Sequence, residues 1–182
     1  MSLQKDSAPF FELLGNLEIR ERVLKKLACK LKEGSRVLDL ATGSGYLARN
    51  LSEKNLFLVC LDVDLMMLCK TRENLPDHLY VRADAGLLPF KGSSFDCVVT
   101  WSALAHVKDW KRVVDESCRV SKSLFTAEPH GAFSVRAFRD LNCKHSCPKI
   151  TEILSEFERH GRANIDHMDF ISIILIIDTR AM

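Results

Sequence analysis

Residues 37–48 read Val-Leu-Asp-Leu-Ala-Thr-Gly-Ser-Gly-Tyr-Leu-Ala: a short apolar run carrying Asp39, a loop with Gly43 and Gly45, and the opening of a helical pattern. Glycine at these loop positions lets the backbone turn sharply and approach a ligand that a Cβ would hold off. The helix that follows offers its unpaired N–H groups to the same ligand. A strand, a glycine turn and a helix in that order make a nucleotide-cofactor loop.

Outward from this stretch, apolar runs alternate with amphipathic ones. Upstream, Leu17, Val23, Leu24, Leu27, Ala28 and Leu31 recur at helical spacing, and Gly34 stops that helix just before the run Val37 to Leu40. Downstream, helical stretches over about 45–53 and 65–75 lead into strands over 56–61 and 79–82. A fourth strand spans 95–100, a helix 110–120 and a fifth strand 124–127. This rhythm predicts a parallel sheet covered by helices on both faces, with right-handed crossovers. Ile150, Ile153, Leu154 and Phe157 mark a further amphipathic helix, which Gly161 can cap. Residues 164–168 and 171–177 then make two last strands, the second apolar on both faces as an interior strand should be. No linker, repeat or low-complexity tract interrupts the pattern.

In such a sheet ligands bind beyond the carboxyl ends of the strands, where the strand order reverses. Asp39 lies at the end of the first strand, Asp62 at the end of the second, Asp84 just past the third, and Thr100 and Trp101 close the fourth. Each aspartate taken singly is explained as a turn or cap residue. Asp62, however, follows Gly43 at close to the ~20-residue offset at which an acid on the second strand accepts hydrogen bonds from ribose hydroxyls. Asp64, two residues on, reads as the cap of the following helix.

As a set, Val37 to Ala48, then Leu58-Val-Cys-Leu-Asp-Val-Asp64, Ala83-Asp-Ala-Gly-Leu-Leu-Pro-Phe90 and Phe95 to Trp110 resemble the class I S-adenosylmethionine-dependent methyltransferases, most closely those of methyltransferase type 11. The resemblance covers about residues 31–120. It implies a three-layer α/β/α sandwich on a Rossmann-like, seven-stranded, mostly parallel sheet, with an antiparallel last strand, residues 171–177, inserted beside the fifth. The cofactor it implies is S-adenosyl-L-methionine. Asp39 would hold the ammonium of the methionine part, and Ala41, Thr42, Gly43 and Gly45 would line the loop beneath methionine and ribose. Asp62 would take the ribose hydroxyls, Val63 and Met67 would pack on adenine, and Asp84 with the Ala85 N–H would meet the adenine edge. Thr100 and Trp101 would lie beside the sulfonium. Two positions depart from the pattern. Ala41 stands where the family usually has glycine, a small intrusion if φ stays negative there. Ser121-Lys122-Ser123 replaces a frequent Pro-Gly-Gly turn.

Methyl transfer from a sulfonium asks mainly for an acceptor lone pair in line with the methyl group, and for a base only if the acceptor must lose a proton. Candidate bases are His106 after the fourth strand, and Glu128 and His130 in a loop after the fifth. Each also reads as an ordinary surface, capping or loop residue. Trp101 and Tyr46 serve equally as packing or as walls of an acceptor pocket, with Trp101 favoured by its strand-end position. The acceptor is expected to be a small molecule. Thr100-Trp101-Ser102-Ala103 is not the Asn/Asp-Pro-Pro-aromatic sequence of methylation on nucleobase amines. Two other readings stay open. Gly43-x-Gly45-x-x-Ala48 also satisfies the dinucleotide fingerprint of an NAD(P)-dependent oxidoreductase, although Asp39 would put a charge near the pyrophosphate. A non-catalytic S-adenosylmethionine-binding regulatory protein is the other.

Composition agrees with one globular domain over residues 1–182, in which 1–33 form an N-terminal helical segment and lid, with Phe10 and Phe11, and 129–148 a loop over the substrate side. That loop carries Arg136, Arg139 and Lys144. A net charge of +2 gives no strongly basic face, which disfavours nucleic acid. The opening residues lack a basic leader and an apolar stretch before a cleavage site, and no run approaches the roughly 18 apolar residues of a membrane span, so a cytoplasmic location without membrane is expected. Of seven cysteines, Cys29, Cys60, Cys69, Cys97 and Cys118 sit in helical or strand patterns as reduced packing residues. Cys143, His145 and Cys147 alternate in a polar loop, but no second ligand pair accompanies them and no metal is expected.

Overall fold

A computed structural model describes residues 17–129, 148–168 and 171–177. The strands are β1 (Arg36–Leu40), β2 (Phe57–Asp62), β3 (Leu79–Arg82), β4 (Cys97–Trp101), β5 (Ser123–Pro129), β6 (Arg162–Met168) and β7 (Ile171–Ile177). The helices are α1 (Leu17–Lys30), α2 (Tyr46–Leu51), α3 (Leu65–Asn74), α4 (Trp110–Val120) and α5 (Ile150–Glu158), with one 3-10 turn at Leu104–His106. The expected lid residues Phe10 and Phe11, the candidate base His130, and Arg136, Arg139, Cys143, Lys144, His145 and Cys147 lie outside the described residues.

The strand order is β3-β2-β1-β4-β5-β7-β6. The first five strands are parallel, with β1 paired to β2 on one side and to β4 on the other. β7 runs antiparallel to both β5 and β6. The chain builds outward from β1 to β3, then returns to place β4 on the other flank of β1. The order therefore reverses between β1 and β4, and the crevice beyond their carboxyl ends is where a ligand fits.

Residues alternate between two buried layers because successive strand side chains point to opposite faces. Val37, Cys60, Val99, Phe125 and Ala127 pack under Val23, Leu27, Leu47 and Leu51 of α1 and α2. Leu38, Leu40, Leu61, Val98 and Leu124 pack under Val113 and Val114 of α4 and Ile153 and Phe157 of α5. This two-sided burial is why the parallel strands are continuous apolar runs.

Two expectations are corrected. β5 does not end at Ala127; it continues through Glu128 and Pro129, paired with β7, so Glu128 belongs to a strand and not to a loop. Ala41 has φ of 55°, in the left-handed region, and not a negative value. His106 ends the 3-10 turn, and α4 begins at Trp110. The β3–β4 connection carries no helix; it is a loop held to α4 by Arg119 and Glu116. Arg119 donates to the carbonyls of Phe90 at 2.9 Å and Leu88 at 3.1 Å, while Glu116 accepts from the Leu88 N–H at 2.8 Å. At the amino ends of the strands, Asp96 joins Arg36 and Lys122, and these partners, Lys122 foremost, hold its carboxyl well below the usual carboxylate range.

Candidate functional site

The β1–α2 loop is locked by its own polar groups. Thr42 Oγ1 donates to Asp39 Oδ2 at 2.6 Å, and the Thr42 N–H reaches across to the Leu61 carbonyl at 3.0 Å. Asp39 is 1% exposed. Burial pushes its carboxyl up to about 7, Thr42 and the Ala48 backbone oppose the rise, and the charge of Asp62 adds to it.

Asp62, at the end of β2, faces the same loop. Its Oδ2 accepts from the Gly43 N–H at 2.9 Å and its Oδ1 from the Asp64 N–H at 2.9 Å. A carboxylate has about four acceptor positions, so each oxygen keeps one for a further donor. Asp64 caps α3 as expected, accepting from the Met66 N–H at 2.8 Å.

Thr71 of α3 closes the loop from above, and it was not singled out from the sequence. It is fully buried, and its Oγ1 donates to the Gly43 carbonyl at 2.9 Å. A Cβ added to Gly45 would stand 2.6 Å from Thr71 Cγ2, and Gly45 has φ of +82°. Glycine is thus required at position 45 on both counts. The signal for Thr71 was present in its spacing, since it shares an inward helix face with Leu68 and Leu75.

Asp84 follows β3 and is exposed; its Oδ1 accepts from the Gly86 N–H at 2.7 Å, closing a turn around Ala85. Val63 and Leu87 leave 63% and 65% of their surfaces exposed, with Met66 and Leu65 near by in sequence on the first turn of α3 and Met67 half-buried. Leu87 lies within the motif Ala83 to Phe90 but was not singled out from the sequence. On the other side of the crevice, Thr100 is buried and Trp101 half-buried at the end of β4. The Trp101 ring meets Tyr46 edge-on, with centroids 5.4 Å apart.

The structure therefore brings Asp39, Ala41, Thr42, Gly43, Gly45, Asp62, Val63, Asp84, Ala85, Thr100 and Trp101 to the carboxyl ends of four adjacent strands. His106 is exposed on the 3-10 turn of the same end. Glu128 is not available as a base. It is 1% exposed and its Oε1 accepts from Thr126 Oγ1 at 2.7 Å and from the N–H groups of Ala103 and Leu104 at 3.1 and 3.3 Å. Burial pushes its carboxyl up to about 7 against those hydrogen bonds.

Away from this end, Asp115, Glu156 and His160 place ligand-type atoms within 4.8 Å of one another. Arg159 Nη1 lies 2.5 Å and Lys111 Nζ 3.7 Å from the carboxylate of Glu156, so the group is an ion-paired seam between α4 and α5. His160 Nε2 lies 2.9 Å from Asp115 Oδ1, near enough for an ion pair but off line for a hydrogen bond. A cavity of about 360 Å³ lined by Gly34, Arg36, Phe57, Val59, Leu79 and Phe95 opens at the amino ends of the strands, on the far side from the glycine loop. No helix among the described residues is long and apolar enough to cross a membrane.

A family model described as a methyltransferase domain matches residues 38–124. A demethylmenaquinone methyltransferase from Renibacterium salmoninarum is 37% identical over 89 residues, covering 49% of this chain and 38% of its own length. The ubiquinone/menaquinone biosynthesis C-methyltransferase UbiE of Serratia proteamaculans is 33% identical over 139 residues, covering 68% of this chain and 55% of that one. Phosphoethanolamine N-methyltransferase 2 of Haemonchus contortus, solved in complex with S-adenosyl-L-methionine, shares the fold with a TM-score of 0.65 at 20% identity, over 76% of this chain and 36% of that one. The parallel sheet with a glycine loop at its switch point is thus the fold of a class I methyltransferase. Residues 38–124 thus match a methyltransferase domain, and the chain spans between 38% and 55% of the length of the curated relatives it matches.

Proposed function

We propose that the chain is an S-adenosylmethionine-dependent methyltransferase acting on a small molecule by in-line displacement. The observation that carries this reading is Asp62, bonded to the head of the glycine loop through Gly43 and still holding one free acceptor position on each oxygen for a ribose diol. The rest of the crevice fits the same cofactor. Asp39 is a buried carboxyl hydrogen-bonded by Thr42, which suits the ammonium of the methionine part. Ala41, Thr42, Gly43 and Gly45 underlie methionine and ribose. Val63, Met67 and the exposed Leu87 offer apolar surface to adenine, while Asp84 and the Ala85 N–H face its edge. When bound, the cofactor would supply a methyl group on a sulfonium, open to an acceptor's lone pair. Thr100 and Trp101 bound the place where the acceptor stands, and the exposed His106 at the same end is the candidate to take its proton if the acceptor must lose one. The domain is read as a single unit over residues 1–182, with 1–33 and 129–148 over the acceptor side. The seven-stranded, three-layer closure of the sheet by the antiparallel β7 is part of the same reading.

The names of the quinone methyltransferases among the relatives make aromatic quinols the first acceptors to try, with carboxylates and amines as the alternatives. The cofactor is tested by calorimetry with S-adenosylmethionine, S-adenosylhomocysteine and NAD side by side. Binding of the first two and not the third, abolished in Asp62→Ala, is expected; binding of NAD alone would overturn the reading. Mass-spectrometric detection of a 14 Da gain, roughly the mass of the CH₂ that transfer adds, identifies the acceptor class.

A further inference from the structure

Where β4 ends, the chain turns abruptly. Ser102 is buried and has φ of 53°, a left-handed conformation that a non-glycine residue keeps only when its surroundings impose it. The last ladder bond runs from the Ser102 N–H to the Ala127 carbonyl at 2.8 Å. Beyond it the turn Ala103 to His106 has no strand partner, yet Ala103, Leu104 and Ala105 are all buried.

What meets those residues is Glu128. Trp101 is the register partner of Ala127, so Glu128 stands one residue beyond the end of β4, under the emerging turn. Its Oε1 collects the Ala103 and Leu104 N–H groups, and the Ala105 backbone also bonds the carboxyl. Thr126, two residues back on the same strand face, fixes the carboxyl from below through its hydroxyl. The hydroxyls nearest the turn do not share this work. Thr100 Oγ1 and Ser102 Oγ are buried without a hydrogen-bond partner, as is Glu128 Oε2. Glu128 Oε1 thus gathers the Ala103 and Leu104 N–H groups of the turn at the end of β5.

The turn carries what stands on the acceptor side of the crevice: Trp101 at its root, packed edge-on against Tyr46 at the head of α2, and His106 at its tip. We propose that Glu128 is a positioning residue that pins the acceptor-side turn, residues 102–106, to the end of β5 and thereby sets Trp101 against the glycine-loop helix. The proposal rests on the methyltransferase reading only for what the turn faces. Glu128 acts through the backbone of Ala103, Leu104 and Ala105.

The test uses the full chain carrying Trp110→Phe, so that Trp101 is its only tryptophan, and compares Glu128→Gln with Glu128→Ala. Glutamine keeps an acceptor oxygen for the backbone N–H groups; alanine removes it. Glu128→Ala should lower hydrogen-exchange protection of the 102–106 segment by about tenfold or more, the scale of one lost hydrogen bond network contact, and shift Trp101 emission to the red. Glu128→Gln should restore most of both, and S-adenosylhomocysteine affinity should stay within about threefold of the parent, because Asp39 and Asp62 are untouched. Unchanged protection in Glu128→Ala, or equal loss in both variants, overturns the proposal. If Glu128→Ala does not fold, Thr126→Val decides: a loosened turn in a folded protein supports pinning, and an unaltered turn refutes it. Should S-adenosylhomocysteine bind none of these proteins, the functional reading fails, while exchange and fluorescence still decide the role of Glu128.

Discussion

Two residues at the glycine loop, Ala41 within it and Asp39 at the end of β1, carry costs that the fold imposes. Ala41 sits at φ of 55°, where a Cβ crowds the following carbonyl. Ala41→Gly should raise stability by up to about 1 kcal/mol, the strain relieved less the extra freedom of glycine in the unfolded chain, as read by urea unfolding. A loss of stability would show that the methyl group packs usefully. Asp39 is the second case. Burial pushes its carboxyl up to about 7, above the ordinary carboxylate range. A value raised by folding means that its contribution is complete below the unfolded value and is lost as pH rises through 7. The ligand-free protein should accordingly lose stability between about pH 4 and 7, and Asp39→Asn should remove on the order of 2–4 kcal/mol of that slope. Glu128, shifted the same way, keeps part of the slope in the variant; the paired Asp96 acts oppositely, losing its contribution only as pH falls below the ordinary carboxylate range. An ammonium seated on Asp39 needs the charged form, so cofactor binding near pH 6 should release a proton. Binding enthalpy that does not vary with the buffer's ionisation enthalpy would count against that contact.

Among the elements, the junction of α2 and α3 decides how the loop is held. Gly45 starts α2 under Thr71 of α3, whose hydroxyl also fixes the Gly43 carbonyl. Gly45→Ala combines a left-handed φ with a contact of 2.6 Å, and should cost about 2–3 kcal/mol by thermal or urea unfolding. Thr71→Ala in that background should recover roughly half of the loss by removing the clash, though it also removes a hydrogen bond. No recovery would place the whole cost in the backbone. The same reasoning explains the β3–β4 loop. It lacks a helix, yet Arg119 and Glu116 give its carbonyls and N–H groups partners on α4, which leaves Asp84 and Leu87 presented at the crevice.

On the scale of the whole molecule, ligand binding and folding are one equilibrium. S-adenosylhomocysteine at about 100 times its Kd should add ~2.7 kcal/mol and raise Tm by roughly 5–10 °C. Asp62→Ala should abolish the shift, and an equal shift in both proteins would mean that the ligand sits elsewhere. The alternation of strands and helices could be read directly from residues 36 to 120, because a parallel strand buried on both faces is a continuous apolar run and its covering helices show one apolar stripe. The strand-end aspartates were legible for the same reason: a charge closing an apolar run has few places to go but the sheet's edge. What the tertiary structure alone decided are relations between distant residues. Nothing local in Glu128-Pro129 marks it as strand; pairing with β7 makes it so and brings its carboxyl under Ala103. Ala41 takes a positive φ because β1 must turn there toward α2, a demand set by where α2 packs. Local sequence determines which segments bury a face. Packing those faces against one another determines which polar groups then meet.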